Sequence, residues 1–343
     1  MAGKEASFTV ASVQATPVVL DRDRTIDKAC TLVADAAKNG AKIIVFPEAF
    51  VPTYPDWIWV LPPAQAALHR ELYGELLDQS VAVPSPATEK LGKAAKAAGA
   101  YVVIGVNERN VEASGSSIYN TLLYFGPDGK LLGKHRKLMP TSAERLVWAA
   151  GAGDTLEVYD TPYGKLGGLI CWENYMPLAR YAMYAWGTQI YVAPTWDSSV
   201  DGWVPLLQHI AREGRVAVIG CCMALRHDDI PDGYKFKASY PAAGDGWVNQ
   251  GASTIVAPYG PILAGPALKE ETILYAELDP AVFRQARLTF DPAGHYGRPD
   301  VFQLTVNREA NPMITTTGTA NGLNTVDGPQ IARAANRRTK ETT

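Results

Sequence analysis

Neither sign of charge dominates this chain: 32 Lys and Arg stand against 35 Asp and Glu, for a formal net charge of −3. It lacks the basic surplus that draws proteins to nucleic acid or to anionic membranes, so the expected partner is a small molecule. Long hydrophobic runs are missing too. The opening stretch MAGKEASFTVAS has no apolar segment of secretory-signal length, and no uncharged run approaches the roughly 20 residues of a membrane helix. A soluble, cytoplasmic protein is expected. Cysteine is scarce, with Cys30, Cys171, Cys221 and Cys222 the four in 343 residues. None sits in a C-x-x-C pair or in a zinc spacing with histidine, and four do not make a disulfide scaffold in so long a chain. They are expected to be reduced thiols, most of them inert.

Several signatures of chemistry are absent as well. The chain has no G-x-G-x-x-G, no G-x-x-x-x-G-K-[ST], no H-E-x-x-H and no G-x-S-x-G. Nothing in it demands a nucleotide, a metal or another cofactor, and none is expected.

What is present is a globular composition, 47% hydrophobic and 20% charged, enough for a sizeable core. Apolar β-rich stretches alternate with helical ones. SFTVASVQAT reads as a strand. RTIDKACTLVADAAKNG places Ile26, Ala29, Cys30, Val33 and Ala37 at helical spacing and stops at Asn39-Gly40. AKIIVFPE has the continuous apolar character of a strand covered on both faces. A helix, ATEKLGKAAKAAG, feeds the strand AYVVIGVNER. SIYNTLLYFGPDGKLLGKHRK then reads as a hairpin turning at Pro-Asp-Gly. Strands follow at KLGGLIC, QIYVAPTW, RVAVIGCCMAL, ASTIVAPYG and ILYAELD, with helices expected over 175–186 and 204–214. The hairpins disfavour a purely parallel sheet, so the expected α/β fold is two mixed sheets packed together and covered by helices. One domain is expected over 1–310. The Thr-, Asn- and Gly-rich segment 311–343 is expected to be a tail, loosely ordered or laid across a partner subunit.

Polar residues fall at the carboxyl ends of these strands: Glu48 after IIVFP, Lys137 after KLLGKHR and Cys171 after GGLI. Ligands of α/β sheets bind off such ends, so the three can converge on one pocket. An ammonium favours the thiolate, a carboxylate can take the thiol proton and later activate water, and the lysine can stabilise developing negative charge. Each residue also has an ordinary reading, as a core cysteine, a solvated glutamate and a surface lysine. Spacing alone leaves both readings open.

The segments FPEAF, KHRKLMPTSAER and LICWENYMPLARY resemble the three signature segments of the nitrilase superfamily. VAPTWD, HIAREGRVAVIG and GHYGRPDVF resemble supporting ones, and the resemblance spans about 7–307. It implies an α-β-β-α sandwich and a catalytic Glu48, Lys137 and Cys171, with Glu48 as general base, Lys137 as transition-state stabiliser, Cys171 as nucleophile and Glu144 in support. The Trp172 backbone N–H would join Lys137 in holding negative charge. Within the superfamily, CWEN followed by MPLAR is similar to the true nitrilases. That branch implies hydrolysis of an organic nitrile to acid and ammonia, and a homo-oligomer built from dimers that can continue into spirals. An amidase or a cyanide-hydrolysing member is the alternative. Glu173 is expected to fix the cysteine loop through hydrogen bonds. Tyr54, Trp172 and Trp196 are put forward to line an apolar substrate pocket. In WAAGAGDTL, Ala149 and Ala152 replace or shift glycines that nitrilases usually carry.

Overall fold

A computed structural model describes residues 6–240 and 244–312. Past Pro312, the expected tail lies outside the described residues. Six strands, β1 (Phe8–Gln14), β2 (Ala41–Val45), β3 (Val81–Ala82), β4 (Tyr101–Arg109), β5 (Ile118–Phe125) and β6 (Leu131–Arg136), belong to a first sheet. A second sheet holds β7 (Tyr159–Thr161), β8 (Gly164–Gly168), β9 (Ile190–Thr195), β10 (Ala217–Cys222), β11 (Ala224–Arg226), β12 (Trp247–Val256) and β13 (Ile262–Leu268). The chain then returns to the edge of the first sheet with β14 (Thr272–Leu278), antiparallel to β1. Both sheets are mixed. Strands β1, β2 and β4 run parallel, as do β8, β9 and β10, and antiparallel strands flank them.

The pleat explains the layering. Along each central strand, one set of side chains faces the other sheet and the alternate set faces helices. Val10, Ile43, Val45 and Val103 of the first sheet meet Ile190, Val192, Ile219 and Ile255 of the second in a dry central core. On the outside of the first sheet, Ala11, Ile44 and Val102 pack under α1 (Arg22–Lys38) and α4 (Pro86–Ala98), which α2 (Trp57–Val60) and α3 (Ala66–Gln79) separate in the chain. Beyond the second sheet, Tyr191, Ala193 and Val218 pack under α5 (Pro177–Ala185) and α6 (Val200–Gly214). The result is the helix–sheet–sheet–helix sandwich expected from the sequence.

Local chemistry fixes these elements. At the start of α1, the Asp21 side chain accepts a hydrogen bond from the Arg24 N–H. At the start of α4 the Ser85 backbone N–H donates to Thr88 Oγ1 at 2.9 Å, Pro86 occupies the first turn, and Gly99 closes the helix in the left-handed region at φ 58°. Two elements had no clear period in the sequence, the helix Ala66–Gln79 and the edge strand β13. Only Leu72 and Leu76 of that helix are buried, so it carries almost no apolar stripe.

The strand directions set up the site. Because β6 is antiparallel to β5, which is antiparallel to β4, the carboxyl ends of β2 and β6 lie at the same edge of the first sheet. Those of β8 and β9 share one edge of the second.

Candidate active site

Three turns carry the polar residues off these edges, and each contains a non-glycine residue in the left-handed region. These are Ala49 (φ 47°) directly after Glu48, Ser142 (φ 46°) two residues before Glu144, and Cys171 itself (φ 51°). Such conformations cost on the order of 1–3 kcal/mol each and persist only where the surroundings impose them. Cys171 does not end its strand, as the sequence suggested. Strand β8 stops at Gly168, and Cys171 opens a short 3-10 turn, Cys171–Tyr175, that lifts the thiol off the sheet.

That turn is held from below by Glu173. Its carboxylate accepts from the Ile170 N–H at 2.8 Å, from the Leu138 N–H at 2.6 Å and from His135 Nε2 at 3.0 Å. Burial pushes Glu173 up, but His135 and the two amides outweigh it and bring the group below the usual glutamate range. The expectation that Glu173 fixes the loop describes this geometry well. It ties the cysteine turn to the residue that follows Lys137.

Glu48, Lys137, Glu144 and Cys171 meet, and all four side chains are buried. Lys137 Nζ donates to Glu48 Oε1 at 2.8 Å and to Glu144 Oε2 at 2.8 Å. Carboxylate oxygens of both glutamates and the Cys171 sulfur lie within 4.8 Å of one another. Two carboxylates and a thiol are also a possible metal-ligand set, but the ammonium already stands hydrogen-bonded to both acids, where a cation would bind. Burial lowers the proton affinity of Lys137, yet the charges of Glu48 and Glu144 overcome this and keep it charged. Burial raises Glu48, with Lys137 opposing and Glu144 adding to the rise. Burial and the Glu48 charge together drive the Cys171 thiol well above its ordinary value. At rest the sulfur therefore carries its proton, with a basic carboxylate nearby to receive it.

Three further groups complete the cluster; the sequence reading gave Asn120 and Thr195 no role and put Trp196 forward only as a pocket wall. Asn120 Nδ2 donates to Glu48 Oε1 at 2.6 Å, the Trp196 backbone N–H donates to Glu48 Oε2 at 2.9 Å, and Thr195 Oγ1 donates to Cys171 Sγ at 3.2 Å. Asn120 did leave a signal. It is a lone amide in the fully buried strand β5, and a buried polar side chain needs a partner.

A cavity of about 450 Å³ opens onto the sulfur. Tyr54, Trp172 and Trp196 all line it, together with Trp59, Glu144 and Asp197. Tyr54 stacks on Trp196 with centroids 4.6 Å apart, and its hydroxyl donates to Glu144 Oε1 at 2.7 Å. Trp172 is half exposed at the rim, its indole N–H on Asp197 Oδ2 at 3.0 Å. The loop with Ala149 and Ala152 keeps its glycines where contact is closest. A Cβ on Gly151 would meet the Arg136 carbonyl at 2.3 Å, and one on Gly153 the Asn307 carbonyl at 2.1 Å. Neither alanine takes a left-handed φ.

A buried thiol, an acid pair and an ammonium between two mixed sheets define a cysteine hydrolase of the α-β-β-α class. Residues 9–288 match the family of carbon-nitrogen hydrolases, and the chain belongs to that family. Among its relatives, an aliphatic nitrilase of Sinorhizobium fredii (strain HH103) is 44% identical over 90% of this chain and 98% of its own. A bifunctional nitrilase/nitrile hydratase of Nicotiana tabacum is 41% identical over 90% of this chain and 88% of its own. The crystal structure of Saccharomyces cerevisiae Nit3, a member of branch 10 of the nitrilase superfamily, superposes with a TM-score of 0.64 at 25% identity, covering 85% of this chain and 97% of that one.

Proposed function

We propose that the protein is a nitrilase that hydrolyses an organic nitrile to the carboxylic acid and ammonia, with Cys171 as nucleophile. One observation carries the reading: a buried thiol beside a carboxylate–ammonium–carboxylate cluster, in a chain 44% identical to an aliphatic nitrilase. Glu48 takes the Cys171 proton as the sulfur attacks the nitrile carbon. The nitrogen gains the proton, and a thioimidate forms. Lys137 and the Trp172 backbone N–H stabilise the charge that develops on nitrogen; the first-turn amides of a short helix have no partner within it. Glu144 supports Lys137 from its other side. Water activated by Glu48 adds to the thioimidate, ammonia leaves, and a thioester remains. A second water releases the acid and restores the thiol. If the tetrahedral intermediate expels the thiol instead, the product is an amide, a branch in keeping with the bifunctional nitrilase/nitrile hydratase among its relatives.

Tyr54, Trp172 and Trp196 serve as walls for the organic group. The hydrolase domain is read as 1–310, with 311–343 as its tail. We read the assembly as a cytoplasmic homo-oligomer of dimers that can extend into spirals. In support, Leu178 and Tyr181 of α5 stand exposed, and no described helix is long and apolar enough to cross a membrane.

The test is ammonia and acid release from an aliphatic nitrile, an aromatic nitrile, an arylacetonitrile and their amides, with Cys171→Ala as control. Both products from nitriles, absent in the variant, are expected. Ammonia from the amides alone identifies an amidase, and turnover of cyanide alone a cyanide-hydrolysing enzyme.

A further inference from the structure

A second cavity, of about 210 Å³, lies beside the one that holds Cys171, and Trp59 forms part of both walls. Asp56, Tyr240, Trp247 and His227 also line it. Asp56 is 8% exposed and belongs to no step of the chemistry above. Its carboxylate receives hydrogen bonds from two neutral donors, the Tyr240 hydroxyl and the Trp196 indole, and among the described residues no Lys or Arg stands beside it. Burial raises its pKa to about 7, with the two donors opposing. A buried carboxylate without a counter-ion is costly, and two donors leave about half of its accepting sites open. Around it stand Trp59, Trp247 and Tyr240, and the Arg226 guanidinium lies over one face of Trp247, 5.2 Å from the ring centroid, which leaves the other face for a ligand. Aromatic faces next to a carboxylate are the surroundings that attract an alkylammonium, through the ring quadrupole and through charge.

We propose that this cavity is a distal subsite for the ammonium end of a nitrile substrate, with Asp56 as its counter-ion and Trp59 and Trp247 as its walls. The inference rests on the nitrilase reading and adds a substrate class to it. A substrate would place its nitrile carbon at Cys171, run along Trp59 and end against Asp56. The His227 Nε2 lies 3.3 Å from the Lys237 carbonyl. Near pH 8.5 an alkylammonium keeps its charge, so the comparison is made there.

The experiment uses ω-ammonium alkylnitriles of increasing length, each beside its neutral methyl-terminated isostere, with the wild type, Asp56→Asn and Trp247→Leu. At one chain length, the wild type is expected to favour the ammonium compound in kcat/KM by ten-fold or more. Asp56→Asn should lower that ratio by about ten-fold or more, the worth of a charged hydrogen bond, and Trp247→Leu by about three-fold or more, the worth of a cation–π contact, both chiefly through KM. Asp56→Asn also loosens Trp196, so a general loss affecting both compounds is allowed for; the ratio is the readout. A ratio near one at every length in the wild type, or one unchanged in Asp56→Asn, overturns the subsite. Calorimetric binding of the same pairs to Cys171→Ala, with and without Asp56→Asn, reads the subsite independently of turnover. A preference there without any turnover sinks the nitrilase reading and leaves the subsite standing. No preference there overturns the subsite.

Discussion

Replacing Lys137 by Met keeps the length of the stem and removes the charge. In the native site that ammonium lies 2.8 Å from Glu48 Oε1 and 2.8 Å from Glu144 Oε2, and none of the three groups reaches solvent. Without it, two carboxylates share a dry space with no compensating cation. Breaking a buried ion pair by removing one partner costs about 3–5 kcal/mol. The loss should saturate there rather than double, because one of the two acids can take up a proton. Adding Glu144→Gln removes the second acid and should return about 2 kcal/mol, a coupling within the range of directly interacting groups. Activity should behave differently. It should fall by about 10²–10³-fold in Lys137→Met, the usual cost of losing one electrostatic stabiliser, and should stay low in the double variant. Urea unfolding reads the first quantity and ammonia release the second. If Lys137→Met is destabilised by less than about 1 kcal/mol, as an exposed pair would be, the reasoning fails. It fails equally if Glu144→Gln deepens the loss.

Other consequences are open to test. Burial raises Glu48 above the ordinary glutamate value, and the base must be ionised to work. The value of kcat/KM should therefore fall with decreasing pH along a limb centred above about 4.3; a limb at or below that value contradicts the assignment. Glu173 lies below its ordinary value in the folded state, so its contribution to stability is present above the unfolded pKa and disappears as pH falls through the folded one. Glu173→Gln should cost about 3 kcal/mol near neutral pH, and chemical denaturation at pH 7 and pH 3 should show the difference shrinking in acid. A Cβ at Gly105 would stand 2.2 Å from the Pro47 carbonyl and 2.5 Å from the Ala49 amide, both backbone atoms of the Glu48 turn. Gly105→Ala should thus lower turnover and thermal stability together, and unchanged turnover would show that the turn is not pinned there.

Strand-end placement drew attention to the acid, the cation and the thiol but left their ordinary readings open; their roles were legible through the resemblance of FPEAF, KHRKLMPTSAER and LICWENYMPLARY. The sandwich was legible because hairpins alternate with helical periods. What stayed hidden depended on the meeting of distant segments. Thr195 reads as one more strand residue until β9 is laid beside β8 and its hydroxyl reaches Cys171. The donor from Trp196 to Glu48 is a backbone amide, which has no side-chain letter to betray it. Asp56 looks like a turn residue in VPTYPDWIW; only packing shows that it is buried and that it faces a cavity beyond Trp59. The left-handed conformation of Cys171 is likewise invisible in a sequence that places no glycine there.

The central claim is that Cys171 carries the acyl group of the product. Wild-type protein mixed with a turned-over nitrile, quenched in acid within one turnover and mapped by peptide mass tests it most directly. The account predicts a mass increase equal to the acyl or imidate group on the peptide containing Cys171, and neither adduct nor ammonia from Cys171→Ala. An adduct on another residue, or turnover surviving in Cys171→Ala, would contradict it.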